Sequence, residues 1–222
     1  MVRRLLQFLD VFERARNEMI ESQLLHRGIS DPAVLAAFRS VPREAFVPPG
    51  EVSHAHQDRP IPIGAGQTVS QPYIVAFTLE SLRLRGRDRV LEIGTGSGYA
   101  AALLAEIAAE VYTVERHPSL GWEATERLRA LGYDNVHVLI GDGTLGWPEH
   151  APYDAIAVAA AGPRVPEALI EQLAPGGRLV IPVESGRGSQ ELMRITRSRS
   201  GELTTESLLP VVFVPLIGAQ GW

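Results

Sequence analysis

Three glycines at alternating positions follow a predicted strand and indicate a loop that binds a small molecule. Residues 91–99 carry glycine at positions 94, 96 and 98 and join that strand to a predicted helix. Glycine lets the backbone turn tightly, and it lets a ligand lie close to the N-terminus of the following helix. A tight turn that binds nothing stays open as the alternative for this loop alone.

The spacing of the loop distinguishes between possible ligands. A dinucleotide-binding loop would have its third glycine where Tyr99 stands, whereas the third glycine here is Gly98. Glu92 favours the same conclusion, because a carboxylate near the loop would repel a pyrophosphate and would suit an ammonium and a sulfonium. The sequence therefore predicts S-adenosyl-L-methionine as the cofactor and disfavours a nicotinamide oxidoreductase.

Two further acids follow the next two predicted strands. Glu115 has two acceptor oxygens for the hydroxyls of a ribose, or it is an exposed acid at a strand end. Asp142 would lie beside an adenine, or it is an ordinary turn acid. Ligands of parallel sheets bind at the carboxyl ends of the strands, so the three positions together are more specific than each alone. With their chain neighbours, these positions predict the cofactor contacts Glu92, Gly94, Thr95, Gly96, Gly98, Glu115, Arg116, Asp142 and Gly143.

Alternating strands and helices position these residues. The predicted strands are 89–93, 110–114, 136–140, 155–159, 178–183, about 190–197 and about 207–216. Helices are predicted at 10–27, from Asp31 onward, at 70–84, at 98–108, from a Ser119 cap to Gly132, and at 164–173. The last strands are joined by a turn at 186–188 and a short loop, which indicates antiparallel pairing at the sheet edge. This pattern predicts an α/β fold, a doubly wound, mostly parallel Rossmann-like sheet with antiparallel C-terminal strands.

The chain length favours one domain. We expect residues 1–222 to form it, with a helical and loop extension at 1–67 and the Rossmann-like core at 68–222. Residues 41–67 are rich in proline and glycine and are predicted to form a long ordered loop, which in compact domains is usually functional.

Composition excludes several classes of function. The net charge of −5 gives no basic field for nucleic acid or anionic lipid, so neither partner is expected. No cysteine is present, which excludes disulfides and cysteine-ligated zinc, and His54 with His56 lacks a third ligand for a metal site. Apolar stretches fall short of the ~20 residues that span a bilayer, so we expect a cytoplasmic protein of undetermined oligomeric state.

Several segments resemble the family of protein-L-isoaspartate O-methyltransferases. They cover most of the chain, and the first is not shared by methyltransferases in general: 64–76 (GAGQTVSQPYIVA), 141–148 (GDGTLGWP), 27–29 (RGI), 41–48 (VPREAFVP) and 213–216 (FVPL). The resemblance implies a Rossmann-like methyltransferase fold and protein repair. In that repair a methyl group passes from S-adenosylmethionine to the free α-carboxylate of an isoaspartyl residue in a damaged protein, and the ester then closes to a succinimide.

The same resemblance implies roles for the segment before the third predicted helix. Ser70 matches the serine treated as the active-site residue of the family. Gln67, Thr68 and Val69 match a loop that lies across cofactor and substrate. Because a carboxylate is ionised at neutral pH, Ser70 would orient it and need not act through a general base. Alternatively Ser70 is the N-cap of the helix that begins near Gln71-Pro72, and both roles can coexist.

Two departures from the family pattern keep the substrate open. Residues 54–58 (HAHQD) stand where the family usually has a tyrosine before the acid, and 159–161 (AAA) replace a threonine- or glycine-led stretch. The alternatives are a carboxyl methyltransferase for a specialised peptide or a small-molecule acid, and a noncatalytic module that binds S-adenosylmethionine.

Overall fold

Nine strands carry the architecture of the protein, and the computed structural model describes residues 2–186 and 188–222. In chain order the strands are β1 (Ile61–Gly64), β2 (Gln67–Val69), β3 (Arg89–Ile93), β4 (Glu110–Glu115), β5 (Val136–Ile140), β6 (Tyr153–Val158), β7 (Leu173–Gly186), β8 (Ser189–Arg197) and β9 (Leu203–Val211). β1 and β2 form a hairpin, and the others form one sheet in the order β5-β4-β3-β6-β7-β8-β9. Arg187, inside the predicted turn at 186–188, and Met1 lie outside the described residues.

The pairing directions confirm the predicted sheet. β3 pairs in parallel with β4 and β6, β4 with β5, and β6 with β7, while β8 and β9 are antiparallel. Residues in the centre of the sheet are buried on both faces, as in β3 and β6, because helices cover a parallel sheet from both sides. The carboxyl ends of β3, β4, β5 and β6 therefore lie along one edge, where the candidate site forms.

The helices begin and end largely at the predicted signals. They are α1 (Val2–Met19), α2 (Pro32–Ser40), α3 (Pro72–Leu82), α4 (Tyr99–Ala105), α5 (Pro118–Ala130) and α6 (Glu167–Glu171). A π turn (Ile20–Leu24) and a 3-10 turn (Leu25–Arg27) continue α1 to Gly28, whose φ of 91° is the left-handed cap expected there. The Asp31 side chain caps α2 by accepting the N–H groups of Ala33 and Val34.

Several predicted boundaries are wrong, and two elements start earlier than predicted: α1 begins at Val2 and not at residue 10, and β7 at Leu173 and not at residue 178. The cap of α5 is not Ser119, because the helix already begins at Pro118 after His117. α6 begins only after Pro166, since a residue before proline avoids the helical region, so the predicted start at 164 fails. β9 ends at Val211 and not near residue 216, because pairing of Leu203 with Arg197 begins the strand soon after the turn.

The predicted long loop at 41–67 is more regular than expected. It contains 3-10 turns at Arg43–Phe46 and Pro49–His54 and then the hairpin of β1 and β2. Ile61 pairs with Val69, and the turn through Gly64 and Gly66 uses positive φ values of 97° and 71°. Gln67, Thr68 and Val69 therefore belong to a strand and not to an irregular loop.

The extension and the sheet share one hydrophobic core. On one face, Phe38 and Phe46 of the extension pack in the same buried cluster as Tyr99, Val90 and Val111. A second cluster fills the opposite face around Leu91, Ile156 and Leu216. We propose that the chain is a single domain, and the shared core supports this. In the part of the chain that the structure describes, no helix is long and apolar enough to cross a membrane.

Candidate active site

A cavity of about 930 Å³ opens at the carboxyl edge of the sheet. Most of the predicted site residues line it: Gln67, Thr68, Val69, Ser70, Gly94, Thr95, Gly96, Glu115, Arg116 and Gly143. Glu92, Gly98 and Asp142 are not among its lining residues. The hairpin and the glycine loop therefore face the same space.

Glu115 holds the glycine loop through its carboxylate. One oxygen accepts the backbone N–H of Gly96 at 2.8 Å, and the other accepts the N–H of His117 at 2.8 Å. The residue is only 4% exposed, yet it lines the cavity. Because each carboxylate oxygen has two acceptor positions, one position on each oxygen is left for a ligand hydroxyl.

Gly96 lies directly beneath the hairpin. Its φ is 54°, and a β-carbon added there would lie 3.4 Å from Cδ1 of Ile63 in β1. A side chain at this position would be strained by its backbone and would project into the narrow space between loop and hairpin. Glycine here keeps the backbone of the loop accessible from the cavity.

Glu92 lies behind the loop and does not line the cavity. It is 1% exposed and accepts the hydroxyl of Thr113 at 2.6 Å, and Thr113 Oγ1 lies 2.7 Å from Thr95 Oγ1. Burial raises the pKa of Glu92 to about 8, so the group is mostly protonated at neutral pH. Through Thr113, Glu92 supports Thr95 in the glycine loop, and its predicted contact with the cofactor stays a prediction.

Gly98 has a packing role behind the loop. A β-carbon on this residue would lie 3.2 Å from Cδ1 of Leu128 in α5. The third glycine of the loop therefore allows two helices to approach each other, and it lies outside the cavity lining.

Asp142 is covered by the C-terminal segment. Its carboxylate accepts the N–H and the hydroxyl of Thr144 at 2.9 and 2.7 Å, and the N–H of Ala219 at 2.7 Å. Partial burial acts to raise the pKa of Asp142, but these donors outweigh it and the pKa is lowered. Asp142 is thus a charged acid behind its neighbour Gly143, which does line the cavity.

Ser70 lies between β2 and α3 and lines the cavity. The alternative role as helix cap is wrong, because the N-cap position is Gln71 and no side chain caps α3. The carbonyl oxygen of Ser70 accepts a hydrogen bond from Arg43 at 2.8 Å. Within the described residues its hydroxyl has no hydrogen-bond partner, so it is available to a molecule in the cavity.

The two departures from the family pattern lie in different places. His54 is exposed beside Glu51, whereas the side chain of His56 is only 9% exposed, with Nε2 3.3 Å from Glu44. The side chain of His56 is therefore mostly buried, and neither histidine lines the cavity. Ala159 and its neighbour Ala160 do line it. In the described ranges no group of three or more histidine or carboxylate side chains is placed to hold a metal ion.

One wall of the cavity was missed in the prediction of site residues. Residues 210–217, at and after the end of β9, line the cavity, and Val212 is 95% exposed. The segment 213–216 was noticed for its family resemblance, but nothing in its sequence indicated that it would face Ser70 across the cavity. His117 and Ser97 also line the cavity and were not predicted.

Comparison with known proteins identifies the family. The family model for protein-L-isoaspartate(D-aspartate) O-methyltransferase matches residues 14–221. A protein-L-isoaspartate O-methyltransferase from Pelobacter propionicus is 58% identical over 210 residues, which cover 95% of this chain and 93% of the relative. One from Geotalea uraniireducens is 56% identical over 217 residues, which cover 98% and 99%.

Solved structures agree with this assignment. A protein-L-isoaspartate O-methyltransferase matches with a TM-score of 0.83 at 30% identity, covering 93% of this chain and 67% of the other. A structure from Plasmodium falciparum, described as such an enzyme in complex with S-adenosyl-L-homocysteine, matches with a TM-score of 0.78 at 26% identity, covering 93% and 98%. The chain belongs to the protein-L-isoaspartate(D-aspartate) O-methyltransferase family.

Proposed function

We propose that this protein transfers a methyl group from S-adenosylmethionine to the free α-carboxylate of L-isoaspartyl residues in damaged proteins and peptides. The observation that carries the proposal is that Ser70 and the glycine loop at 94–96 line one cavity. A carboxylate on the serine side and a cofactor on the loop side would then share the same space.

The residues at the edge of the sheet fit the proposed cofactor. Glu115 keeps one acceptor position on each oxygen, which suits the two ribose hydroxyls. Gly96 leaves open the space that a β-carbon would fill, as a closely bound ligand requires. Further proposed contacts are Gln67, Thr68, Val69, Gly94, Thr95, Arg116 and Gly143, all of which line the cavity. Bound there, S-adenosylmethionine supplies an electrophilic methyl group on a positively charged sulfur.

Asp142 and Gly143 are proposed to define the adenine end of the site. Gly143 lines the cavity, and the carboxylate of Asp142 has an unused acceptor position on the oxygen that binds Ala219. The lowered pKa of Asp142 keeps that acceptor ionised at neutral pH. Glu92 and Gly98 stay in the proposed site behind the loop, where Glu92 binds Thr113 and Gly98 leaves room for Leu128.

Ser70 is proposed to orient the substrate carboxylate. The carboxylate is the nucleophile and is ionised at neutral pH, with an ordinary pKa near 4, so no side chain has to remove a proton. The hydroxyl of Ser70 would donate a hydrogen bond to one carboxylate oxygen and leave the other free to react. Catalysis would then come from alignment and from the exclusion of water by the cavity walls.

The experiment uses two peptides of the same sequence that differ only in an L-isoaspartyl or L-aspartyl linkage. An isoaspartyl linkage places the free carboxylate one carbon nearer the main chain, and a displacement of ~1 Å can cost ~100-fold in rate. With methyl-labelled S-adenosylmethionine we expect strong preference for the isoaspartyl peptide and little labelling of free dicarboxylic acids. Equal rates on both peptides would falsify the repair assignment, and preferred labelling of a free acid would favour a small-molecule methyltransferase.

The proposed compartment is the cytoplasm, and the proposed partners are isoaspartyl-containing proteins. The absence of cysteine fits a compartment in which disulfides are rare, and the net charge of −5 offers no general attraction to nucleic acid or anionic lipid. Fractionation of cells that express the protein, with an antibody against it, tests the compartment. Recovery with the membrane or the secreted fraction would contradict the proposal.

A further inference from the structure

Arg43 is a wholly buried cation that contacts Ser70. It is 0% exposed, which is rare for arginine, and its Nη1 has no hydrogen-bond partner among the described residues, so its charge depends on few contacts. Nε donates to the carbonyl oxygen of Ala55 at 2.7 Å, and Nη2 donates to the carbonyl oxygen of Ser70 at 2.8 Å. One guanidinium thus joins the backbone of the extension to the backbone of the cavity serine.

The same guanidinium contacts the helix that follows the glycine loop. Its Cζ lies 4.6 Å from the ring centroid of Tyr99, the first residue of α4, which follows Gly98 directly. Phe38 and Phe46 contact the other sides of this ring, at centroid distances of 6.1 and 5.6 Å. Burial raises the pKa of Tyr99 to about 12, so the ring stays neutral and presents its π face to the cation.

Because Arg43 is buried, the placement of these contacts is critical for its charge. Burial lowers the pKa of Arg43, but a guanidinium remains protonated in proteins, so the charge stays inside. A buried charge is costly unless its partners are correctly placed. Its planar fork can satisfy both carbonyls and the ring only when they hold one relative arrangement. Arg43 therefore restricts how Ser70 and the glycine-loop helix lie relative to each other.

We propose that Arg43 is a positioning residue for methyl transfer, which fixes the distance between the substrate side of the cavity at Ser70 and the cofactor side at the glycine loop. The proposal rests on the proposed function. Arg43 does not line the cavity, so it acts through Ser70 and Tyr99 without touching substrate or cofactor.

The test is Arg43→Lys, which keeps the charge but replaces the planar fork with a single ammonium. We expect kcat on the isoaspartyl peptide to fall by about tenfold or more, because alignment is lost. The Kd for S-adenosylmethionine, measured by calorimetry, should change by less than about twofold, since the cofactor contacts remain.

A double-mutant cycle distinguishes positioning from a general role in folding. If Arg43 acts through Ser70, Arg43→Lys should cost little further rate in a Ser70→Ala enzyme, because coupled residues are not additive. A purely structural role would give losses that multiply in full in the double variant.

Arg178→Lys is the matched control. Arg178 also uses Nε and Nη2 to bind two backbone carbonyls, those of Leu82 and Arg83, but it lies outside the cavity lining. We expect this variant to lower Tm without changing kcat.

Several results would overturn the positioning role. They are an unchanged kcat in Arg43→Lys, fully multiplying losses in the cycle, or an equal fall of kcat in Arg178→Lys. Should the lysine variant not fold, Arg43→Gln, which leaves no buried charge, carries the same expectation. If neither the lysine nor the glutamine variant folds, the proposal is contradicted, because Arg43 would then be required for the whole fold. A wild-type protein that does not methylate the isoaspartyl peptide contradicts the proposed function instead.

Discussion

The carboxylate of Glu115 and the backbone N–H of Gly96 form a 2.8 Å hydrogen bond that ties the tip of β4 to the loop after β3. Glu115→Ala removes this acceptor together with the proposed ribose contact. We expect the cofactor to bind more weakly by roughly 1.5–3 kcal/mol, the usual range for hydrogen bonds to a charged group. Calorimetry with S-adenosylmethionine measures the change.

Glu110→Ala is the control for that variant. Glu110 lies at the opposite end of the same strand, and its exposed carboxylate pairs with His137. Its loss should leave cofactor affinity unchanged. A folded Glu115→Ala protein with normal affinity would remove Glu115 from the proposed site.

Gly96→Val should abolish measurable cofactor binding while most secondary structure remains. The φ of 54° disfavours a β-branched residue, and the nearest atom to its β-carbon is Cδ1 of Ile63, 3.4 Å away. Calorimetry and circular dichroism on the same sample measure the two effects. Gly132→Val is the matched control, because Gly132 has a φ of 83° but open space around it. If both variants bind alike, the loop does not enclose the ligand.

Glu92 should make stability depend on pH in the neutral range. Its folded pKa of about 8 lies above the ordinary value of 4.5, so the folded protein favours the neutral form. The contribution of Glu92 to the free energy of unfolding is fully present below pH 4.5 and is lost as the pH rises through about 8. The loss is at most a few kcal/mol, at about 1.4 kcal/mol per pKa unit.

Glu92→Gln isolates this effect. The amide keeps an acceptor oxygen for Thr113 but does not titrate, so urea unfolding at pH 5 and pH 8.5 should show a smaller difference than in the wild type. Identical differences in both proteins would show that Glu92 does not titrate as described.

Ser70→Ala should lower turnover of the isoaspartyl peptide by ~10-fold or more, the scale of a lost transition-state hydrogen bond to a charged group. Cofactor affinity and Tm should stay nearly constant, because Ser70 does not cap α3. Asp31→Ala is the contrasting variant, since Asp31 does cap α2, and it should lower Tm without lowering kcat. Full turnover in a folded Ser70→Ala enzyme would leave Ser70 without a chemical role.

The sequence was most informative where local patterns determine structure. Alternating buried strands and helices correctly predicted that Gly96, Glu115 and Gly143 meet at one edge, because the carboxyl ends of parallel strands share that edge. The cap at Asp31 and the left-handed conformation of Gly28 were also predicted correctly, since each depends on one residue and its neighbours.

Long-range contacts could not be predicted from local sequence patterns. The hydrogen bond between Glu92 and Thr113 joins two different strands, and only the fold brings the two side chains together. The contact of Asp142 with Ala219 joins residues that are far apart in the chain. Val212 and its neighbours are in the cavity wall because β9 ends earlier than the apolar run suggested.

The core shared by the extension and the sheet also determines how the protein loses its structure. Phe46 and Tyr99 are in contact, so the extension cannot detach from the sheet without exposing the helix that follows the glycine loop. Backbone amides of α2 and α4 should therefore exchange with deuterium in one cooperative unit, at similar free energies of opening. A partly unfolded molecule that retained the cofactor side without the peptide side would not accumulate. Loss of the extension should then abolish cofactor binding together with peptide binding.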